Sequence, residues 1–339
     1  MSSGQSHDPP PLPVAFVTGA TGQDGSYLCE RLLADGVEVH ALSHQASNPG
    51  TPLGAWQSQV HWHDGDLGRL DLLRDLLLEV SPSEVYNLGG ISSVAYSWDE
   101  PIETAQVTGL GAASLFDAAW RLQESTGSAV RVVQASSAEI FGSPEVSPQN
   151  EDTPVRPVSP YGAAKAFAHH LASTYRARGL GVSALVLYNH ESPRRPASFV
   201  TRKITRGAAA ISLGHQSELA LGNLDSVRDW GWAPDFVDAM VRANRAAVAD
   251  DYVIATGQGH SVRDFVAAAF DAVGIDDWER RVRIDPAFFR PSDPAALVGD
   301  ASKARSVLGW RPTMTFEAMV AAMVDQDVDD LTDHRPGQR

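Results

Sequence analysis

Apolar positions along the chain switch repeatedly between two periods. Val14–Thr18 (VAFVT) is a short β-branched run ending at glycine, the pattern of a buried strand. Residues 26–35 (SYLCERLLAD) then place Tyr27, Leu28, Leu32 and Leu33 at helical spacing, and Gly36 is a suitable stop. The same alternation predicts strands at Val37–Leu42, Val60–His63, Val85–Leu88, Arg131–Ala135 and Val182–Tyr188. It predicts helices near 69–79, near 103–123 and from Pro160 to about 178. Strands alternating with helices imply right-handed crossovers and a parallel sheet covered on both faces, an α/β fold of the doubly wound, Rossmann type.

Past residue 189 the alternation loosens. A strand at Tyr252–Ala255 and a helix near 261–273 follow, and a last helix over 316–327 carries Phe316, Met319, Val320 and Met323 at core spacing. The expected division is a first domain over 13–188 and a smaller C-terminal α/β domain over 189–330, with 230–260 returning to the first sheet. Residues 1–12 and 331–339 are polar and read as disordered tails.

Composition narrows the function. The 339 residues include 42 Asp and Glu against 27 Lys and Arg, a net charge of -15. That balance argues against a general nucleic-acid binder, which needs a basic face to displace counterions. One cysteine, Cys29, excludes an intrachain disulfide and a cysteine metal cluster. No apolar run is long enough for a membrane span, and the first residues lack a hydrophobic signal, so a cytoplasmic protein is expected. Residues 194–206 hold Arg194, Arg195, Arg202, Lys203 and Arg206 with no acid between them. This predicts a locally basic pocket able to focus a small anion.

Gly19-Ala-Thr-Gly22-Gln-Asp-Gly25 lies between the first strand and the first helix. Glycines so spaced let the backbone turn tightly against a pyrophosphate, and the helix N-terminus presents free N–H groups to it. Asp66 and Leu67, after the third strand, are placed to meet an adenine ring. Ser43-His44-Gln45-Ala46, after the second strand, offers neither the acid that favours NAD nor the arginine that favours NADP.

Ser159-Pro160-Tyr161-Gly-Ala-Ala-Lys165 is a second motif. Ser159 suits an N-cap and Pro160 the first helical position, so Tyr161 and Lys165 fall on one helix face. A tyrosine, with a free pKa of about 10, serves as a base once a nearby ammonium lowers that value. A solvated surface pair is the plain alternative. Ser137 and Glu139 follow the fifth strand at its carboxyl end, where doubly wound sheets bind ligands. Ser137 can donate to a carbonyl or hydroxyl, and Glu139 can act as general acid/base. A turn cap and a solvated carboxylate are their alternatives.

These features together resemble an extended short-chain dehydrogenase/reductase. The blocks GATGQDGSYL (19–28), SPYGAAK (159–165), YNHESPRR (188–195), FVTRKITR (199–206), LGNLDSVRDWGWAPDFV (221–237), VIATGQGHSVRDFV (253–266) and FFRP (288–291) resemble, more closely, the GDP-mannose 4,6-dehydratase family. The resemblance implies a nucleotide-sugar 4,6-dehydratase, an NAD(P)-dependent hydro-lyase acting on GDP-mannose or a close GDP-sugar analogue. Tyr161 would take the 4-hydroxyl proton, Ser137 and Lys165 would assist, and Glu139 would remove the C5 proton and help water leave C6. The implied cofactor is NADP, with NAD the other choice. Its expected contacts are Gly19, Thr21, Gly22, Gln23, Asp24, Gly25, Ser43, Asp66, Leu67, Leu88, Tyr161, Lys165 and His190. The expected sugar-nucleotide contacts are Ser93, Ser137, Glu139, Asn189, Val200, Lys203, Arg228 and Arg290.

Three departures stand out. His44, Gln45 and Ala46 replace the family's two arginines and serine, Ile91 and Ser93 replace glutamine and histidine, and Ser292-Asp293-Pro294-Ala295 replaces an acidic run. The implied assembly is a homodimer through the helices at 103–123 and 160–178, without commitment to a tetramer. The alternatives are a nucleotide-sugar 4-epimerase or 4-keto-reductase, and a catalytically idle cofactor-sensing protein.

Overall fold

The computed structural model describes residues 12–43, 54–289 and 296–333. In chain order the strands and helices are β1 (Val14–Thr18), α1 (Gln23–Ala34), β2 (Glu38–Ser43), β3 (His61–Asp64), α2 (Leu70–Val80), β4 (Glu84–Asn87), α3 (Val94–Asp99), α4 (Pro101–Thr104), α5 (Gly111–Thr126), β5 (Arg131–Ser137), α6 (Pro160–Ala177) and β6 (Gly181–Leu187). There follow β7 (Asn189–Glu191), α7 (Val200–Ser212), β8 (Leu219–Leu221), β9 (Val227–Trp232), α8 (Ala233–Arg245), β10 (Asp251–Ile254), β11 (Gly259–Ser261), α9 (Val262–Asp271), β12 (Val282–Ile284), β13 (Ala296–Leu297), α10 (Ser302–Val307) and α11 (Phe316–Asp333).

Seven strands form one parallel sheet in the order β3-β2-β1-β4-β5-β6-β10. The order reverses between β1 and β4, and there the carboxyl ends of the strands open the crevice in which such sheets bind ligands. One face is covered by α1, α8 and α10, whose Leu28, Leu32, Phe236, Met240 and Ala304 pack on Val17, Val39 and Tyr86. The other is covered by α2, α5 and α6, with Leu73, Leu115, Phe116 and Ala168 against Phe16, Val85 and Val132. A separate core of Ile204, Trp230, Phe265, Phe316, Met319 and Met323 joins α7, α9 and α11. Small sheets, β11-β9-β13 with β7 on β9, and β12-β8, complete that second unit. Among the described residues no helix is long and apolar enough to cross a membrane.

Two elements differ from the sequence pattern. The helix expected over 103–123 is interrupted: α4 and α5 are joined by a π-helical turn at Ala105–Leu110. Its buried Thr108 accepts a hydrogen bond from the Ile91 N–H at 3.1 Å, anchoring the widened turn to the loop after β4. The last helix runs on to Asp333, so 331–333 are helical rather than tail. Its Asp327 is fully buried and bonded to Thr205 and Arg202 of α7, which holds this stretch of the helix in place. Residues 1–11 and 334–339 lie outside the described residues.

The glycine turn is built by close approach. A Cβ on Gly25 would lie 2.1 Å from the Gly19 carbonyl oxygen and 2.6 Å from the Ala20 Cα, both backbone atoms. Gly19 has φ +71, and a Cβ there would lie 2.8 Å from the Gly89 nitrogen. Gly25→Ala is therefore expected to lower stability by about 3 kcal/mol, since backbone has to move. A denaturant midpoint unchanged from the parent chain would contradict this.

Candidate active site

β1 ends in Thr18, β4 in Asn87, and β5 carries Gln134 in the same register. These three buried polar side chains form a chain of hydrogen bonds. The Thr18 hydroxyl donates to Asn87 Oδ1 at 2.7 Å, and the Asn87 amide donates to Gln134 Oε1 at 2.7 Å. The Gly89 N–H in turn donates to Thr18 at 3.0 Å, closing the loop after β4 over the glycine turn. Fully paired buried networks fix one arrangement, because an unpaired polar group there is costly. Sequence reasoning missed this ladder. Its signal is a polar residue ending each apolar run.

At the rim of this ladder α1 begins with Gly22 as N-cap and no side chain capping it. The first N–H groups of α1, the cradle of Gly19, Gly22 and Gly25, and the helix dipole together suit a diphosphate. The side chains around the turn are otherwise engaged. Gln23 donates to the His190 carbonyl at 3.0 Å and accepts from Ser192 at 2.9 Å. Asp24 bonds His190 Nε2 at 2.8 Å. His190 Nδ1 faces the Tyr188 carbonyl at 2.7 Å, so both ring nitrogens face acceptors and both carry protons. Burial disfavours that cation, but the charge and hydrogen bond of Asp24 outweigh it and raise the His190 pKa. Burial likewise opposes the Asp24 anion, and His190 overcomes it and holds the carboxyl low. Gln23, Asp24 and His190, all expected to touch the cofactor, have their side chains bonded to one another and to Ser192, which ties α1 to β7.

Three other expected contacts also have partners within the chain. Leu67 is buried in the core, packed so closely on Gly89 and Gly111 that a Cβ on either would lie within 3.0 Å of it. Its side chain takes part in that packing, and Asp66 accepts from the Gly68 N–H. Ser93 is the N-cap of α3, accepting from the Tyr96 N–H at 3.1 Å. Thr21 is exposed, while Ser43 and Leu88 are half-buried at the ends of β2 and β4.

Ser137, Glu139, Tyr161 and Lys165 are brought together at the carboxyl end of β5. The Ser159 hydroxyl accepts from the Gly162 N–H at 3.0 Å and Pro160 opens α6, so the cap motif sets where the helix starts. Tyr161 and Lys165 are 9% and 7% exposed, which removes the surface-pair alternative. Ser137 caps the short turn Ala138–Phe141, its plain alternative, by accepting from the Glu139 N–H at 3.2 Å, and its hydroxyl also bonds Tyr161. Glu139 is half-buried beside them.

The electrostatics differ from the sequence expectation. Burial pushes the Tyr161 phenol up to about 12; the Ser137 hydrogen bond pulls it down, and the Glu139 charge raises it further. The net direction is upward, against the lowering expected beside Lys165. Its ammonium lies 5.9 Å from the Tyr161 ring centroid and donates to the Ala135 carbonyl at 2.8 Å. Burial pushes Lys165 down to about 8, with Asp24 acting the other way. Between about pH 8 and the unfolded lysine value near 10.4, the folded chain binds fewer protons, so this group's contribution to stability rises with pH across that window. Below pH 8 the full burial cost of about 3 kcal/mol is present. Lys165→Met is therefore expected to raise stability at pH 7 by about 2 kcal/mol, after about 1 kcal/mol for the lost hydrogen bond. A lower melting temperature for this variant at pH 7 would contradict the assignment.

On the substrate side, Asn189 begins β7, Val200 begins α7, and Lys203 sits one turn on, its ammonium 3.5 Å from the Phe288 ring centroid. Arg228 in β9 is buried and donates to the Val227 carbonyl at 2.8 Å. Arg290 lies outside the described residues, as do His44, Gln45, Ala46 and 292–295. Three of the five cations over 194–206 are paired with acids. Arg194 pairs with Glu30 at 2.8 Å, Arg195 with Glu191 at 3.2 Å and Arg202 with Asp327 at 3.0 Å. The acids come from outside the window, two of them from α1 and α11, so a count of local charge could not see them.

A family model described as "GDP-mannose 4,6 dehydratase" matches residues 16–323. GDP-mannose 4,6 dehydratase 1 of Arabidopsis thaliana is 44% identical, over 96% of this chain and 93% of that protein. The Homo sapiens GDP-mannose 4,6 dehydratase is 40% identical, over 96% and 94%. Among solved structures, Thermus thermophilus UDP-glucose 4-epimerase in complex with NAD superposes with a TM-score of 0.79 at 28% identity, covering 93% of this chain and 98% of that one. The glycine cradle, the Ser–Tyr–Lys cluster and the acid beside it thus sit in a sequence matched nearly end to end, and the chain belongs to the GDP-mannose 4,6-dehydratase family.

Proposed function

We propose that this chain converts GDP-mannose, or a close GDP-sugar analogue, to its 4-keto-6-deoxy form, with a nicotinamide dinucleotide as cofactor. The observation that carries the reading is the half-buried carboxylate of Glu139 beside Tyr161. A 4-epimerase needs the Ser–Tyr–Lys cluster but no such acid. Family membership supports the substrate, and the NAD-bound Thermus thermophilus structure supports the cofactor class.

The glycine cradle and the α1 N-terminus would hold the dinucleotide diphosphate, and Tyr161 and Lys165 its nicotinamide end. Bound there, the nicotinamide supplies the two-electron oxidation at C4 and the matching reduction at C6. Tyr161 takes the proton from the 4-hydroxyl, while Ser137 donates to the same oxygen. Lys165 keeps a positive charge near the phenol below about pH 8. Once C4 is a ketone, the C5 proton is acidic. Glu139 removes it and returns a proton to the departing C6 hydroxyl, so one carboxyl serves as base and then acid. Asn189, Val200, Lys203, Arg228 and Arg290 are the proposed contacts for the sugar nucleotide, with guanidinium forks suited to its diphosphate.

NADP is the proposed form of the cofactor, because no acid follows β2 to repel a 2′-phosphate. Binding titrations of both reduced dinucleotides test this, and tighter NADH binding overturns it. A homodimer through α5 and α6 is proposed from the family resemblance. It is supported by Trp98, Ile102, Leu110 and Phe167, exposed by 49%, 76%, 45% and 46% on or beside those helices. Light scattering is expected to give twice the chain mass. The reaction itself is tested by mass spectrometry after incubation with GDP-mannose. Loss of one water without net consumption of cofactor is expected, and an unchanged mass defeats the substrate assignment.

A further inference from the structure

A second cluster of chemistry-bearing side chains stands at the other end of the sheet. His40 of β2 and His61 of β3 are register partners, so their side chains lie side by side on one face. Glu38 and His63 share that face, each two residues away from a cluster member along its own strand. The imidazoles of His40 and His61 stack with centroids 4.7 Å apart, and those of His40 and His63 at 5.1 Å. His40 Nε2 lies 3.1 Å and His61 Nε2 lies 3.4 Å from Glu38 Oε1. One donor atom from each of Glu38, His40 and His61 falls within 4.8 Å of the other two.

A tetrahedral zinc ion with ligands at about 2.0–2.1 Å holds neighbouring donor atoms about 3.4 Å apart. The two donor separations measured to Glu38 are close to that value. The remaining side chain completes the pattern. His40 Nδ1 lies 2.9 Å from His63 Nε2. A neutral His40 that binds a metal through Nε2 carries its proton on Nδ1, and His63 is placed to accept it, as an outer partner that fixes the ligand's ring. The Phe16 ring, 6.2 Å away, closes the other side of His63.

We infer that Glu38, His40 and His61 form a binding site for a zinc-like divalent transition-metal ion, with His63 orienting His40. Two nitrogens and one carboxylate oxygen suit such an ion, and water takes the fourth position. The site lies where β2 and β3 begin. The glycine turn and Tyr161 lie past the carboxyl ends of the strands. The metal's effect is therefore to clamp the edge strand β3 onto β2, independent of the dehydratase chemistry.

Equilibrium dialysis of the full chain against zinc chloride at pH 7.5, followed by metal analysis, tests the site. One zinc per chain is expected, with a zinc-dependent rise in melting temperature. His61 is 58% exposed, so His61→Ala is expected to fold normally while losing the bound metal. His63→Ala is expected to keep the stoichiometry but bind about tenfold more weakly. Substoichiometric zinc on the parent chain, or equal binding by His61→Ala, overturns the inference.

Discussion

Tyr161→Phe is expected to lower turnover of GDP-mannose by a thousandfold or more, while dinucleotide affinity stays within a few-fold of the parent. Positioned proton transfer is worth up to about 10⁴-fold, and a thousandfold corresponds to about 4 kcal/mol of barrier. The ring of Tyr161 remains to pack in its buried place, so the loss is confined to the hydroxyl that Ser137 bonds. Steady-state kinetics with a calorimetric titration of cofactor separates the two effects. A variant with parental turnover would remove Tyr161 from the proposed chemistry. A variant that loses cofactor as well would make its role one of binding.

Glu139→Gln carries the second large effect, and its sign is informative. The Glu139 charge raises the Tyr161 phenol, so removing it makes Tyr161 a more accessible base. If Glu139 acted only through that field, the variant would be as fast as the parent or faster. The proposed acid/base role demands the opposite, a fall of about a thousandfold. Turnover in deuterated water gives a sharper reading. The parent is expected to place solvent deuterium at C5 as the proton there is exchanged, and Glu139→Gln to return unlabelled, undehydrated sugar. Unimpaired dehydration by this variant would defeat the proposed role. An epimerase would be nearly indifferent to it.

How much of this was legible in the sequence depended on the range of the interaction. Strands such as β1 (VAFVT), β5 (RVVQASS) and β6 (GVSALVL) run for five to seven residues around β-branched apolar positions, long enough for the pattern to show. The start of α6 was equally plain, because Ser159 and Pro160 act within one turn. Strands of two or three residues such as β7, β11 and β13 are too short to carry a period and exist through pairing with β9. Arg202 shows the same limit at the site. Its neighbours in sequence are basic or neutral, yet it is 4% exposed and paired with Asp327 from the far end of the chain. Leu67 and the side chains of Gln23 and Asp24 read as ligand contacts from their place in a motif. Tertiary packing also gave them partners within the chain, which the motif does not show.

The place of β10 bears on how the chain is made. In the finished sheet β6 lies between β5 and β10, and the chain makes an excursion through α7, β8, β9 and α8 before β10 arrives. On the ribosome, β6 therefore emerges with a bare row of backbone donors and acceptors. The row stays bare until synthesis has run from Leu187 to beyond Ile254. Bare parallel edges of this kind are sites of misassociation. A nascent or prematurely released chain ending within that interval is the form most exposed to aggregation, and most in need of a chaperone.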